Sequence, residues 1–271
     1  MKLKDKVRLS LGIVFLVIFC VSSFRLLDYF LESRKQENMN EDLSKLKHEH
    51  TSDYFIIVEA LPMEDSGYAS KTDVSSQPED NHYVDGNDNT QETISLSSIN
   101  PDYVFWLQIP TTEIDYPVVY RDNDYYLKRD FYGEKNRHGT IFLDENCTFD
   151  GHFLLLHGHN MKDGTMFGSL RDYKQKNFAN EHDSLLISYE TKDIGFQIVA
   201  AALVDLYDAN RFAYEKIPVT EEEILTYLAD MKKYALWYED FEWEPGKRIV
   251  LLSTCDYGSE EERLVVFAIE K

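Results

Sequence analysis

The chain has 271 residues, of which 43% are hydrophobic, and its formal net charge is −21. This length and apolar content suffice for one domain with its own core, together with additional segments. The charge argues against nucleic acid as a partner, because binding phosphates requires Lys and Arg. The three cysteines do not indicate a disulfide framework, since Cys20 lies within an apolar run and this leaves two that could pair.

A basic and then apolar segment opens the chain. Three lysines and an arginine within the first eight residues precede residues 9–24, an uncharged stretch of 16 residues. As a helix this stretch spans about 24 Å, close to the ~30 Å hydrocarbon core of a bilayer. A cleaved signal peptide is the alternative, but an A-x-A-like cleavage site does not follow. We predict that residues 1–32 form a cytoplasmic tip and a single-pass membrane anchor, with the N-terminus in the cytoplasm.

Residues 33–98 are polar and acidic. Between residues 36 and 100 there are 14 Asp and Glu against 3 Lys, and stretches such as SSQPEDNHYVDGNDNTQET contain few apolar residues. Such a sequence buries too little surface to offset the entropy of ordering the chain. We expect a flexible linker, within which the apolar patch YFIIVEAL at residues 54–61 could pack on the domain.

The remaining residues, 99–271, are predicted to form a mainly β domain. Eight apolar runs separated by turn-rich pieces indicate strands: VFWLQI, EIDYPVVY, TIFLD, FLLLH, SLLISYE, FQIVAAALVDLY, RIVLLST and RLVVFAIE. About eight strands in a domain of this size predict a β-barrel or a sandwich.

Two helices are predicted among the strands. The first is TMFGSLRDYKQKNF at residues 165–178. The second begins at Thr220, whose capping-box partner is Glu223. It carries a stripe of apolar residues at helical spacing, which we interpret as core packing: Ile224, Leu225, Leu228, Met231, Ala235 and Leu236.

A lone cysteine follows the seventh predicted strand. Cys255 is placed where a strand passes into a loop, and Arg263 begins the next strand, so an antiparallel pairing would bring the two together. His159 likewise follows an apolar strand. A cysteine nucleophile needs a cationic neighbour, a proton donor for the leaving amine and donors for the oxyanion. A buried structural cysteine is the competing interpretation.

Two other kinds of site are disfavoured by the spacing. His152, His157 and His159 could suggest zinc, but carboxylate or thiolate ligands are not spaced with them. A papain-like arrangement places the cysteine before the histidine and carries a C-G-S-C-W-like signature, whereas here the histidine comes first. We expect neither a metal nor another cofactor.

Three motifs in order resemble one known family. LLSTC followed by Arg263 is similar to the T-L-x-T-C signature and arginine of the sortases, although Leu251 replaces the first Thr of that signature. HGHNMKDGTMFGSL resembles the histidine segment of class B sortases. The segment beginning NPDYVFWLQIPTTEIDYPVVY is similar to the opening strands of that class. The resemblance covers residues 100–271.

The resemblance implies an eight-stranded sortase β-barrel with a helix inserted between the sixth and seventh strands. It implies a cysteine transpeptidase of the Gram-positive cell surface, in which Cys255 attacks the Thr carbonyl of a C-terminal sorting signal. His159 then protonates the departing amine and deprotonates the incoming one, while Arg263 holds the substrate and stabilises the oxyanion. We expect Ser253 and Thr254 to line the substrate groove, and Tyr257 to do so as well.

The implied partners are surface proteins bearing a sorting signal and an amine of the peptidoglycan precursor or cross-bridge. The catalytic domain would be extracellular. Two alternatives stay open at the level of sequence: a sortase that polymerises pilins through a lysine, and a noncatalytic surface assembly protein that keeps the barrel.

Overall fold

A computed structural model describes residues 3–59, 95–189, 192–256 and 259–271. The helices are α1 (Leu3–Glu59), α2 (Leu96–Ile99), α3 (Lys176–Glu181) and α4 (Glu221–Tyr234), with short 3₁₀ helices at Tyr125–Lys128 and Gly168–Lys174. The strands are β1 (Tyr103–Gln108), β2 (Asp115–Tyr120), β3 (Ile141–Leu143), β4 (Phe153–His157), β5 (Ser184–Tyr189), β6 (Lys192–Asp205), β7 (Ala235–Tyr238), β8 (Ile249–Asp256) and β9 (Ser259–Glu270).

Eight of these strands close into a barrel. They follow the order β5-β1-β2-β3-β4-β8-β9-β6, and β6 pairs back to β5. The pairs β2–β3 and β4–β8 are parallel, and the other pairs are antiparallel. Closure removes the exposed sheet edges that an open sheet would present. The predicted eight-stranded barrel is therefore confirmed.

One of the nine described strands, β7, lies outside the closed barrel. The short strand β7 pairs with β6 beside the barrel, and sequence reasoning did not separate it from the helix before it. The indole nitrogen of Trp237 in β7 donates to the carbonyl of Tyr173, at 2.5 Å. This contact joins β7 to the 3₁₀ helix at Gly168–Lys174, which also packs on β6 and β9. Covering of the outer face explains why β8 and β9 are nearly continuous apolar runs.

Helix α4 is inserted between the sixth and seventh strands of the barrel, as predicted. The capping box is present in full, because the Thr220 hydroxyl accepts from the Glu223 amide and the Glu223 carboxylate accepts from the Thr220 amide. The predicted apolar stripe is only partly correct. Leu225 and Leu236 are at least half exposed, whereas Tyr227 is buried.

The other predicted helix is broken in two. Residues 165–178 were expected to be a single helix, but the 3₁₀ helix at Gly168–Lys174 ends before α3 begins. Gly168 packs so closely on the backbone that an added Cβ would lie 2.4 Å from the Met161 carbonyl oxygen. This close packing on the loop before it explains why the first part is a short 3₁₀ helix. Helical periodicity in the sequence carries no information about that contact.

Helix α1 has two different halves. From Leu11 to Leu27, every Leu, Ile, Val and Phe side chain is at least half exposed. This half is long and apolar enough to cross a membrane. The second half contacts the barrel, beginning with an ion pair between Asp28 and Arg137 at 2.9 Å.

The docked half of α1 differs from the predicted linker. Residues 33–59 are helical, and Ser33, Gln36 and Leu43 are buried. Asn40 Nδ2 donates to the carbonyl of Asp115 at 2.8 Å. Leu43 and Leu96 lie in one apolar cluster with Trp106, Val119, Tyr126, Phe131 and Phe142. The acidic composition did not predict this docking surface, because polar and charged side chains make many of its contacts. Residues 60–94, including the end of YFIIVEAL, lie outside the described residues.

Candidate active site

The register of β8 and β9 brings Cys255 and Arg263 together. The two strands are antiparallel neighbours, and Cys255 and Arg263 are direct partners across them. Their Cα atoms are therefore about 4.5–5.5 Å apart, as in any antiparallel pair. Both side chains are partly buried. The sequence-based expectation that Arg263 returns beside the sulfur agrees with this register.

A parallel pairing places His159 at the same end of the barrel. Beyond the last residue of β4, the amide of Gly158 donates to the carbonyl of Ser253 at 3.2 Å. Two residues later, Asn160 Nδ2 donates to the carbonyl of Cys255 at 2.7 Å. His159 lies between these two bonds, so its backbone runs alongside the end of β8. The neighbouring ends of β4, β8 and β9 therefore bring His159, Cys255 and Arg263 to one rim of the barrel.

The His159 ring is oriented by a main-chain acceptor. Its Nε2 lies 2.6 Å from the carbonyl oxygen of Leu127. A carbonyl can only accept, so Nε2 carries the hydrogen and donates it. In the neutral ring, Nδ1 is then the nitrogen left to exchange a proton. Gly139 has a φ of 64° and would place a Cβ 2.6 Å from the Tyr126 carbonyl, so a side chain there would disturb this acceptor segment.

His157 has a different environment from His159. Its Nε2–H donates to the carboxylate of Asp144 at 2.9 Å, and its ring packs against Phe142. Burial by itself would raise the pKa of Asp144, but hydrogen bonds from His157 and Asn146 lower it to about 2. The pair fastens the end of β4 to the residue after β3. This arrangement favours a supporting role for His157.

The second cysteine of the barrel is inaccessible. Cys147 is 2% exposed, and its sulfur accepts from the amide of Leu155 at 3.4 Å. Burial raises the pKa of the Cys147 thiol to about 11. A neutral thiol is a poor nucleophile, and Cys255 is therefore the better candidate. All three cysteines are free.

The predicted groove residues lie deeper than expected. Ser253 and Thr254 are each 2% exposed. The Thr254 hydroxyl donates to the carbonyl of Gly158 at 2.8 Å, and the Ser253 side chain is hydrogen-bonded to Tyr214. In this structure both residues join neighbouring segments, and their contact with substrate stays a prediction. Tyr257 lies outside the described residues.

Sequence reasoning did not identify Tyr214, which lies beside Ser253 and Arg263. It is buried, its side chain is hydrogen-bonded to Ser253, and it interacts electrostatically with the guanidinium of Arg263. Burial raises the pKa of Tyr214, while the Ser253 hydrogen bond and the Arg263 charge oppose that rise. Tyr214 lies in the long connection between β6 and α4, where periodicity gives no signal.

An open groove of about 810 Å³ lies beside His159. The 3₁₀ helix at Tyr125–Lys128 and the segment after it form one wall, and α1 contributes Glu32. The groove is lined by Glu32, Asp122, Asp124, Tyr125, Leu127, Lys128, Arg129, Lys135, Asn136, Arg137 and His159.

Comparison with known proteins identifies the family. A sequence model of the sortase domain matches residues 107–271. The chain belongs to the sortase family. Sortase B of Listeria monocytogenes is 30% identical over 266 residues, covering 97% of this chain and 95% of that protein. Sortase B of Staphylococcus aureus is 29% identical over 179 residues, covering 64% and 72%.

Solved structures place the chain in the same class. The crystal structure of Clostridium perfringens sortase B has a TM-score of 0.60 and 33% identity, covering 65% of this chain and 97% of that one. A Staphylococcus aureus sortase B–substrate complex has a TM-score of 0.58 and 30% identity, covering 65% and 82%. The chain is a class B sortase, a cell-wall cysteine transpeptidase, and the pilin-polymerising and noncatalytic alternatives are not favoured. The family is associated with the cell surface, and the apolar half of α1 is a candidate membrane anchor.

Proposed function

We propose that Cys255, His159 and Arg263 carry out the transpeptidation in this chain. The observation that supports this most directly is the shared rim of β4, β8 and β9, where main-chain pairing sets Arg263 opposite Cys255 and the His159 segment alongside it. Each residue type fits a separate requirement of acyl transfer: a nucleophile, a proton carrier and a cationic donor for the oxyanion.

In the first half-reaction, the Cys255 sulfur attacks the carbonyl carbon of a Thr in the C-terminal sorting signal. The peptide C–N bond breaks, the leaving amine takes a proton from His159, and a thioacyl enzyme forms. In the second half-reaction, His159 accepts a proton from the incoming amine as that amine attacks the thioester. The Cys255 sulfur leaves, and the new amide joins the surface protein to its acceptor.

Arg263 binds the substrate and stabilises the negative charge that develops on the carbonyl oxygen. A guanidinium presents several donors in a rigid fork, which suits an oxyanion beside the sulfur. In this proposal, Ser253, Thr254 and Tyr257 line the substrate groove next to Cys255. His157 supports the end of β4 through Asp144 and does not transfer the proton.

The substrates are surface proteins that carry a sorting signal and a peptidoglycan amine. By the positive-inside rule, the basic residues that precede the apolar stretch favour a cytoplasmic N-terminus and a barrel outside the cell. The docked half of α1 connects the membrane anchor to the barrel.

The proposal is tested by mass spectrometry of the full chain in detergent, incubated with a library of sorting peptides and candidate amines. A thioacyl adduct should form on Cys255, and the amide product should identify the preferred signal and amine. An adduct on Cys147, or turnover without any thioacyl species, would contradict the assignment.

A further inference from the structure

The loop that begins at His159 folds back on itself as a short hairpin, residues 159–167. The amide of Phe167 donates to the carbonyl of His159 at 3.0 Å, and Asn160 forms an isolated antiparallel bridge with Met166. The two arms are therefore paired next to the imidazole, and Asp163 lies at the tip. Contacts that hold this hairpin in place also hold the backbone of His159.

Met166 shows that the returning arm of the hairpin is held firmly. Its φ of 54° lies in the left-handed region, which costs free energy for a residue that carries a side chain. Its amide donates to the hydroxyl of Tyr116 at 3.0 Å, and its sulfur accepts from the side-chain amide of Gln36 at 3.9 Å. Gln36 is 3% exposed and belongs to the docked half of α1. Helix α1 therefore contacts the arm that pairs with the His159 segment.

Asp163 joins α1 to the tip of the same hairpin. Its Oδ2 accepts from the hydroxyls of Ser33 at 2.6 Å and Tyr29 at 3.0 Å, both on α1. Its Oδ1 accepts from the amide and the hydroxyl of Thr165, at 3.1 and 2.6 Å. One oxygen of this carboxylate thus binds α1, and the other binds its own loop.

Asp163 also contacts the turn against which the imidazole of His159 packs. The ring of His138 is fully buried, and its Nε2 lies 3.3 Å from Asp163 Oδ2. The ring of Tyr29 stacks on it, with 6.3 Å between the ring centres. The next residue, Gly139, lies so close to the proposed proton carrier that an added Cβ would be 3.3 Å from His159 Cδ2. Asp163 therefore connects the two segments between which the His159 ring lies.

We propose that Asp163 is a positioning residue for His159, and that the docked half of α1 acts on the reaction through Asp163. The inference rests on the proposed function, in which His159 transfers the proton. With Asp163 in place, the hairpin and the turn at His138 are held together, and the imidazole keeps its hydrogen bond to the Leu127 carbonyl. Without Asp163, the ring gains freedom to rotate, and either ring nitrogen can carry the hydrogen.

A purely structural role for Asp163 predicts a different result. A contact that only stabilises the fold lowers the melting temperature, but it leaves kcat and the imidazole tautomer of the folded chain unchanged. A positioning residue lowers kcat in the folded chain and leaves the KM for the sorting peptide unchanged.

The test measures cleavage of a sorting peptide by the full chain in detergent, below the melting temperature of each variant. Asp163→Ala, Ser33→Ala and their double variant are compared with Asp115→Ala. The Asp115 carboxylate accepts from the indole of Trp106 at 2.6 Å, and its carbonyl accepts from Asn40 of α1 at 2.8 Å. This control therefore removes a carboxylate from the α1 face without removing the link to the hairpin.

In Asp163→Ala, kcat should fall about ten- to hundredfold, because a displacement of about 1 Å at a reacting group can cost that much. The KM for the peptide should change by less than about twofold. Ser33→Ala removes one hydrogen bond and should lower kcat about fivefold. The double variant should lose no more than Asp163→Ala, since Ser33 acts through that carboxylate. Asp115→Ala should keep its kcat even if its melting temperature falls.

The position of the ring is measured separately, by nitrogen NMR of the histidine-labelled chain at about pH 8, where an ordinary imidazole is neutral. The signals of His159 are identified by their absence in His159→Ala. The wild-type chain and Asp115→Ala should show the Nε2–H form alone. Asp163→Ala should show both tautomers.

Three results would overturn the inference: an unchanged kcat in Asp163→Ala, an equal loss of kcat in Asp115→Ala, or the Nε2–H form alone in Asp163→Ala. If Asp163→Ala does not fold, Ser33→Ala decides, and an unchanged kcat there overturns the inference. Failure of the inference while the wild-type chain still forms a thioacyl adduct on Cys255 would leave the proposed function intact. Absence of that adduct, or full activity of His159→Ala, would instead contradict the proposed function.

Discussion

The rim that carries the catalytic trio and the face that receives α1 are organised in different ways. At the rim, main-chain pairing of β4, β8 and β9 sets which residues meet. On the α1 face, side chains distant in sequence meet instead: Ser33 donates to Asp163 at 2.6 Å, and Asn136 donates to Gln36 at 2.8 Å. Substitutions at the rim should therefore reduce the reaction rate, whereas substitutions on the α1 face should reduce the stability of the fold.

The two regions also meet at one loop. Asp163 lies in the loop that follows His159, and it accepts hydrogen bonds from Ser33 and Thr165. Burial opposes the charge on Asp163, but these hydrogen bonds lower its pKa overall. His138 also contacts Asp163, at 3.3 Å. The position of α1 is thus linked to the segment that carries the proposed proton carrier.

The largest effect is expected at the rim. Cys255→Ala should reduce turnover of a sorting peptide to background, since the covalent step is removed while the barrel is left intact. Peptide cleavage and the melting temperature measure the two effects. Cys147→Ala is the matched control and should keep its activity, and a comparable loss there would mean that the wrong sulfur had been assigned.

The next effect distinguishes the two histidines. His159→Ala should slow turnover by about 10²–10⁴-fold, the usual contribution of a positioned acid–base group. His157→Ala should keep most of the activity, because the ring binds Asp144 and supports β4. Steady-state rates at several pH values measure this, and the opposite ranking would reassign the proton transfer to His157.

A smaller loss is expected for Arg263→Lys, of about 10²–10³-fold in kcat/KM. Lysine keeps the charge but lacks the rigid fork of donors, so it should behave almost like Arg263→Ala. The melting temperature should barely change in either variant. Near-normal activity of the lysine variant would show that Arg263 is a surface charge and that other donors bind the oxyanion.

The α1 face is tested by stability. Leu43 is fully buried in the cluster with Trp106 and Phe131, so Leu43→Ala should lower the free energy of unfolding by about 2–5 kcal/mol. Leu225→Ala is the matched control, because Leu225 is 57% exposed, and it should change stability by less than about 0.5 kcal/mol. Denaturant unfolding in detergent measures both. Equal small effects would mean that α1 does not dock in solution.

The smallest effect concerns pH. The pKa of Asp144 is about 2 in the folded chain against an ordinary value of 3.8, so the unfolded chain binds this proton more readily. The stabilisation is therefore complete above about pH 5 and is lost as the pH falls towards 2, on the order of 2 kcal/mol in total. Asp144→Asn should be less stable than wild type at pH 6, and the difference should shrink by pH 3. A constant difference would exclude Asp144 as its source.

Much of the rim could be predicted from the sequence. The runs RIVLLST and RLVVFAIE are apolar enough to be recognised as strands, and a short connection makes them antiparallel neighbours, which brings Arg263 back to Cys255. The capping box at Thr220 is equally local. Both follow from residues near each other in the chain.

The groove wall and the docked half of α1 could not be predicted in this way. An acidic, polar stretch predicts a linker when it is considered alone, yet Gln36 and Leu43 find a complementary surface assembled from β1, β2, β3 and the loops beside them. The Leu127 carbonyl that orients His159 is 32 residues away in sequence. Main-chain acceptors leave no signature in residue types.

The sequence by itself determined the eight barrel strands, the inserted helix α4, the apolar N-terminal segment and the three residues of the proposed trio, because each depends on local periodicity or on a motif. Tertiary structure alone decided where α1 docks, which ring nitrogen of His159 carries the hydrogen, and that Tyr214 lies against Ser253. These depend on surfaces built by barrel closure. Barrel closure brings together segments that are far apart along the chain, and local sequence patterns do not predict such contacts.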